Sequence, residues 1–307
     1  MKLCVFGAGA IGGLMAAKLA AKGDAEVTVI ARGPHLDAIR DQGLRIASAL
    51  GDLAVRPAQA SADPASVGAV DLVIFAVKLY DTEAAAEACR PLVGQATGVV
   101  TFQNGVDSPE VLARVLGREQ VIGGVAQIAA VVAAPGSIKH TGTMARFAFG
   151  ELGGRRSARV EALAAAMRAA GVEHVVSEAI EREIWAKMVF LATFAGLTTL
   201  VRLPIGPIRA DADTRALYRD GLAEALAVAR AQGIELAEDF VAQTLARTDQ
   251  LPAAMKSSML EDLERGKRLE LPWLSGAIVR MGAERGVPTP VHGFITTALK
   301  LRADGHG

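Results

Sequence analysis

The stretch MKLCVFGAGAIGGLMAAKLAAKGDAEVTVIAR, residues 1–32, decides the reading of the fold. Leu3–Phe6 is an apolar run of the length of a buried strand. Gly7, Gly9 and Gly12 follow at G-x-G-x-x-G spacing in GAGAIG, with Ala8, Ala10 and Ile11 between them. A helical pattern from Leu14 to Ala21 is expected to stop near Gly23, and the β-branched run Val27–Ile30 supplies a second strand. Strand, glycine turn, helix and strand within about 30 residues form the context that a dinucleotide-binding motif requires. Gly7 permits the tight turn, Gly9 lets a pyrophosphate approach the backbone, and Gly12 lets helix and strand pack closely. The first helical amides and the helix dipole then face the phosphates. A signal peptide headed by Lys2 would have no use for three spaced glycines and a second strand. A buried helical hairpin would lose about 1 kcal/mol at each glycine.

The second strand runs out at Arg32. NAD-binding units carry an Asp or Glu near this point to bond the ribose 2′-hydroxyl, whereas an Arg suits a 2′-phosphate. Arg32 therefore favours NADPH over NADH, the plainer alternative being a solvated surface charge.

The 307 residues suffice for about two domains. A hydrophobic share of 51% and a mean hydropathy of +0.31 imply large cores rather than disorder. Lys+Arg and Asp+Glu both number 33, so the balanced charge offers nothing to nucleic acid or an anionic membrane. Cys4 and Cys89 make no disulfide framework, which points to a reducing cytoplasm. Met188–Val201 is uncharged but shorter than the roughly 20 residues a bilayer demands, so a buried core helix is expected.

Outward from the opening unit, helices are expected at Pro34–Asp41, Thr82–Cys89, Ser108–Leu116 and Arg155–Ala170. Strands are expected at Leu44–Ile46, Leu53–Val55, Asp71–Val77, Gly98–Phe102, Ser137–Thr141, Ala145–Phe149 and Val172–Val176, with a turn at Pro135-Gly136. Up to Leu116 the alternation favours a parallel sheet covered on both faces; from Val121 the pattern changes, with Val121–Ala134 rich in Val, Ile, Ala and Gly. Beyond Glu178 the patterns are helical only: Ile180–Leu200, Thr214–Gln232 and Trp273–Arg285. The chain thus reads as an α/β, Rossmann-type dinucleotide-binding domain over 1–178 followed by an all-α domain over 179–307 that would serve substrate binding and dimerisation. Ligands of such sheets bind beyond the strands' carboxyl ends, where the glycine turn, Lys78 and Asn104 all fall. Lys78 could contact phosphate or substrate, and Asn104 the nicotinamide end; each could equally be a turn residue.

Lys187 is the only charge in IWAKMVFLATFAGLTTL, residues 184–200. It either snorkels to water near the helix start or faces a cleft between the domains, and burial logic does not separate the two. Hydride delivery to a ketone leaves negative charge on oxygen, which a positioned ammonium stabilises and protonates. His35, His140, His174, His292 and His306 are scattered, with no pair at metal-ligand spacing. In KSSMLED, residues 256–262, Ser257 or Ser258 could cap a helix running into Glu264; with Ser258 as the cap, Glu261 would complete a capping box.

Together GAGAIG at 7–12, Arg32, AVK at 76–78, QNG at 103–105, EIWAKM at 183–188, SSMLEDL at 257–263 and Glu270 resemble ketopantoate reductase over the whole length. The resemblance implies NADPH-dependent reduction of a 2-keto acid to a 2-hydroxy acid, foremost 2-dehydropantoate to pantoate, in a cytoplasmic enzyme of pantothenate synthesis. It implies that Lys187 is the general acid, that Gly7–Gly12, Arg32, Lys78, Asn104 and Ala129 contact the cofactor, that Glu270 lies at nicotinamide and substrate, and that Ser258 holds the substrate carboxylate. The family's asparagines four and eight residues after the lysine are Leu191 and Ala195 here, on the lysine's own face, and further family asparagines fall on Ile205 and Ser275. Losing hydrogen-bonding groups removes discrimination of up to about 10⁴-fold for a substrate hydroxyl, which suits a more apolar 2-keto acid or a broader specificity. A related β-hydroxyacid or opine-type dehydrogenase and a catalytically silent NADPH sensor are the alternatives.

Overall fold

The computed structural model describes residues 1–21 and 25–305. Gly23 and His306 lie outside the described residues. The chain divides into two compact units: Met1–Gln103 with Asp107–Glu181, and Asn104–Val106 with Arg182–Gly307.

The first unit is built on strands β1 (Lys2–Phe6), β2 (Glu26–Ile30), β3 (Leu44–Ser48), β4 (Leu53–Val55), β5 (Gln59–Ser61), β6 (Leu72–Phe75), β7 (Gly98–Thr101), β8 (Val121–Ala134), β9 (Ser137–Glu151) and β10 (Glu173–Val176). Its helices are α1 (Ala10–Ala21), α2 (Gly33–Gln42), α3 (Thr82–Cys89), α4 (Ser108–Leu116) and α5 (Ala158–Ala169). The strand order is β4-β3-β9-β8-β7-β6-β1-β2-β5, with β10 beside β9. From β5 to β8 every pairing is parallel. These strands read as near-continuous apolar runs because both faces are covered; β6 and β7 are buried at every residue.

At the far side, beyond Val121, β8 and β9 pair antiparallel, as do β3 and β4. Pro135-Gly136 makes this possible: Gly136 adopts φ +70°, so the chain reverses directly without a crossover helix. The two short strands expected at Ser137–Thr141 and Ala145–Phe149 are one fifteen-residue strand, β9, running through Gly142. Its first part pairs with β3 and its later part with β10, so two neighbours share one edge. Strand β5 escapes sequence reading because Gln59-Ala60-Ser61 has no β-branched or aromatic residue to mark it.

The crevice of an open α/β sheet forms where strand order reverses. Here β1 lies between β2 and β6, and Phe6 is level with both Ile30 and Phe75. The chain segments leaving those three strands, at Gly7, Ala31 and Ala76, therefore emerge at one sheet edge. Leu3 and Val5 anchor β1 in one core with Leu14, Met15 and Ala16 of α1, while Cys4 and Phe6 anchor it in the core on the other face.

The second unit consists of α6 (Ile180–Val201, from its third residue), α7 (Ile205–Ala210), α8 (Ala212–Ala231), α9 (Phe240–Asp249), α10 (Ser258–Glu264), α11 (Ser275–Arg285) and α12 (Pro290–Leu299). Helix α6 has 22 residues, starting at the expected Ile180 and ending one residue past the expected Leu200. Among the described residues it is the helix long and apolar enough to cross a membrane, and 67% of its most apolar window is buried. Met188, Val189, Ala192, Ala195 and Leu197 place it in the middle of the helical core.

Helix α12 is absent from the sequence expectation because PVHGFITTAL is poor in helix formers. Packing and capping override propensity there. Ile295 and Leu299 are buried, and the Glu224 carboxylate accepts from the Val291 and His292 amides at 2.7 and 3.0 Å.

Candidate active site

In the first unit the site begins at the glycine loop. Gly7 adopts φ +95°, and a Cβ there would sit 2.9 Å from the Val77 amide nitrogen. A Cβ on Gly12 would run into the Gly7 carbonyl oxygen. At Gly9 it would meet nothing within 4 Å, so the loop is open there for an approaching group. The Gly7 and Ala8 amides both bond the Ile30 carbonyl, at 3.0 and 3.2 Å, which fastens the loop to β2.

Helix α1 starts at Ala10, four residues before the expected Leu14. Its first i→i−4 bond is Gly13 N–H to Gly9 C=O at 2.7 Å. The amides of Ala10, Ile11 and Gly12 thus have no acceptor in the helix and form an anion-binding end. The residues present fit a dinucleotide pyrophosphate on three counts: open space at Gly9, close packing at Gly12, and helix-start amides between them.

Arg32, two residues past β2, caps the start of α2 in extended conformation with its side chain 81% exposed, and its guanidinium pairs with Asp81 at 2.9 Å. An exposed pair of this kind is worth about 1 kcal/mol at most, so it does not bar a phosphate dianion from the guanidinium. Lys78 precedes the short turn Leu79–Asp81 after β6 and is partly buried. Gln103 fixes that segment by donating to the Val77 carbonyl at 3.0 Å and the Thr82 hydroxyl at 2.9 Å. Ala129 lies at the register shift between Ile128 and Ala130 in β8, where the β8–β9 ladder is interrupted and Thr141–Met144 of β9 have no paired partner.

In the second unit the chemistry gathers on Lys187. Its ammonium donates to Asn104 Oδ1 at 2.8 Å, and Asn104 Nδ2 donates to Glu270 Oε2 at 3.3 Å. The amide orientation is fixed by its neighbours, since an ammonium only donates and a carboxylate only accepts. Lys187 is partly buried and Glu270 is 6% exposed. Burial pulls the Lys187 ammonium down to about 8, and the Glu270 carboxylate pushes it back up. The lysine therefore does not snorkel: its head is held by an amide and a carboxylate, with its titration near neutrality, where proton transfer is efficient. Asn104 follows the end of β7 in sequence, yet it belongs with the second unit, and Gly105 at φ +74° turns the chain there.

Glu270 could not be found from composition or periodicity. The available signal was a carboxylate between two leucines ahead of Pro272; Leu269 and Leu271 are 0% and 1% exposed. On the lysine face of α6, Leu191 is partly buried and Ala195 fully buried, and Ile205 is also fully buried. Ser275 is buried and donates to the Ala192 carbonyl at 3.3 Å.

The serine pair separates. Ser257 caps α10, its Oγ accepting from the Leu260 amide at 3.1 Å. The Thr198 hydroxyl donates to the Phe194 carbonyl at 2.7 Å, so Ser257 donates to the Thr198 oxygen at 2.8 Å, and its hydroxyl is committed in both directions. Sequence reading missed this buried pair. Ser258 is exposed in the first turn. The capping box is corrected: with Ser257 as cap, Glu261 falls one residue beyond the position that reaches back. Among the described residues no cluster of three or more His, Cys, Asp or Glu could hold a metal ion.

The family model described as ketopantoate reductase PanE/ApbA matches residues 3–154, and its C-terminal counterpart matches residues 179–303. A 2-dehydropantoate 2-reductase of Mesorhizobium japonicum is 36% identical, covering 100% of this chain and 99% of its own length. The crystal structure of a 2-dehydropantoate 2-reductase from Geobacter metallireducens GS-15 superposes with TM-score 0.91 at 32% identity, covering 98% of this chain and 99% of its own. A PanE/ApbA family ketopantoate reductase from Ralstonia eutropha JMP134 gives TM-score 0.90 at 34% identity, covering 99% and 98%.

Proposed function

Because the chain belongs to the ketopantoate reductase family, we propose that it reduces a 2-keto acid to the 2-hydroxy acid with NADPH, 2-dehydropantoate being the foremost substrate. The observation that carries the reading is the Lys187–Asn104–Glu270 chain of hydrogen bonds. When bound, NADPH supplies the hydride. Gly7–Gly12 cradle its pyrophosphate, Arg32 meets the 2′-phosphate, and Lys78 and Ala129 lie along the same cofactor. Lys187 donates a proton to the oxygen on which charge develops. Asn104 aims the ammonium by accepting from it, and Glu270 keeps it charged near neutral pH. Ser258, whose hydroxyl is exposed while that of Ser257 is committed, takes the substrate carboxylate.

A second reading keeps the reaction and changes the tail of the substrate. Leu191 and Ala195 put hydrocarbon on the lysine face of α6, which favours a 2-keto acid lacking a hydroxyl. The test is a panel of 2-keto acids, with and without a tail hydroxyl, followed by NADPH absorbance. Turnover of none of them defeats the assignment. A strong kcat/KM preference for 2-dehydropantoate defeats the second reading alone.

A further inference from the structure

His35 lies in the first turn of α2, and both of its ring nitrogens are engaged. Nε2 is 2.7 Å from the Ala8 carbonyl oxygen, and Nδ1 is 3.0 Å from the Gly136 amide nitrogen at the β8–β9 turn. A carbonyl only accepts and a backbone N–H only donates. Nε2 therefore donates and Nδ1 accepts, and the ring joins the glycine loop to the hairpin.

The Ala8 carbonyl and the Gly9 N–H share one peptide plane. No peptide bond is cis among the described residues, so the two groups point in opposite directions. With the carbonyl drawn to His35, the Gly9 N–H is turned the other way, at the residue whose missing Cβ leaves open space. The Ala8 N–H is already held by the Ile30 carbonyl, so both sides of the loop's second residue are fixed.

We propose that His35 is a positioning residue for the cofactor: by holding the Ala8–Gly9 peptide in one orientation, it presents the Gly9 amide to a pyrophosphate oxygen. The inference rests on the reading of the glycine loop as the NADPH cradle. It assigns a role to a side chain outside the G-x-G-x-x-G motif. Without the bond, the peptide can rotate and turn a carbonyl lone pair towards the phosphates.

Glutamine and asparagine separate the two bonds of the ring. The amide nitrogen of Gln reaches the Nε2 position and can donate to Ala8, whereas Asn reaches only as far as Nδ1 and keeps the Gly136 contact alone. We expect His35→Gln to bind NADPH within about threefold of wild type, and His35→Asn to bind about tenfold more weakly, the scale of one oriented hydrogen bond. His35→Ala, made in parallel, shows the same loss and serves if the Asn variant folds poorly. At saturating NADPH, kcat is unchanged in all three variants. Binding of 2′-AMP, which has the 2′-phosphate but no pyrophosphate, is unchanged as well. Equal NADPH affinity in wild type and His35→Asn overturns the inference alone, as does loss of 2′-AMP binding in step with NADPH. Failure of the wild-type chain to bind NADPH overturns the reading of the loop and the inference with it.

Discussion

Replacing Glu270 with glutamine tests the electrostatics of the site most directly. The amide oxygen of Gln can still accept from Asn104 Nδ2, so the hydrogen-bond chain keeps its shape while losing one negative charge. Burial has already brought Lys187 down to about 8, and Glu270 opposes that shift. Removing a nearby opposite charge lowers a lysine by about 1 unit or more. A shift from about 8 to about 7 cuts the protonated fraction at pH 7.5 from about three-quarters to about one-quarter, a roughly threefold loss, while at pH 6 more than about 90% stays protonated in both proteins. The assay is kcat/KM for the best 2-keto acid across pH 5.5–9.5 at saturating NADPH. The basic limb should move to lower pH in Glu270→Gln, with activity nearly restored in acid. A limb that stays in place or moves upward would falsify the claim that Glu270 sustains the ammonium.

Three further outcomes are expected. Lys187→Ala should lower kcat by at least about 10²-fold, the scale of general acid catalysis, with NADPH affinity nearly unchanged; a parallel loss of NADPH binding means the lysine has another role. Arg32→Asp should lower kcat/KM for NADPH by about 10- to 100-fold, through loss of a charge-assisted contact, and spare NADH; an unchanged cofactor ratio removes Arg32 from the 2′-phosphate. His292 is fully buried, with Nε2 donating to the Gly221 carbonyl at 3.0 Å and Nδ1 without a partner, and burial lowers its pKa to about 4. Its folded value lies below the unfolded one of about 6.5, so the stability it supports is present above about pH 6.5 and lost as pH falls towards 4. Urea midpoints should report about 2 kcal/mol lost between pH 7 and pH 5 from this group, and His292→Gln should lack that slope. An identical slope in the variant assigns the acid sensitivity elsewhere.

The first unit is largely legible in the sequence because its signals are local. Spaced glycines, a β-branched run and a cation at the strand end each act within a few residues of one another, and β1, α1 and β2 follow from them. The antiparallel course of β9 is not legible, because Ser137–Glu151 looks interrupted at Gly142 and only its partners β3, β8 and β10 keep it extended. Helix α12 is hidden for a related reason: its cap comes from Glu224, 67 and 68 residues away in sequence. At the site, Lys187 stands out as a lone charge in an apolar helix, whereas Glu270 carries no local mark and takes its meaning from Asn104, 166 residues earlier. The choice between Ser257 and Ser258 turns on Thr198, which no pattern within residues 256–262 could reveal.

The amide that accepts from the Lys187 ammonium is encoded far upstream of it. Asn104–Val106 belongs to the helical unit although the remainder of that unit starts at Arg182. No contiguous fragment therefore carries the helical half whole and by itself: a polypeptide of residues 182–307 keeps the ammonium and the carboxylate but leaves behind the group that joins them. Recombining this chain with a homologue at one crossover near residue 181 would pair one parent's lysine with the other parent's asparagine. A transplant of the helices that leaves out residues 104–106 leaves the asparagine behind.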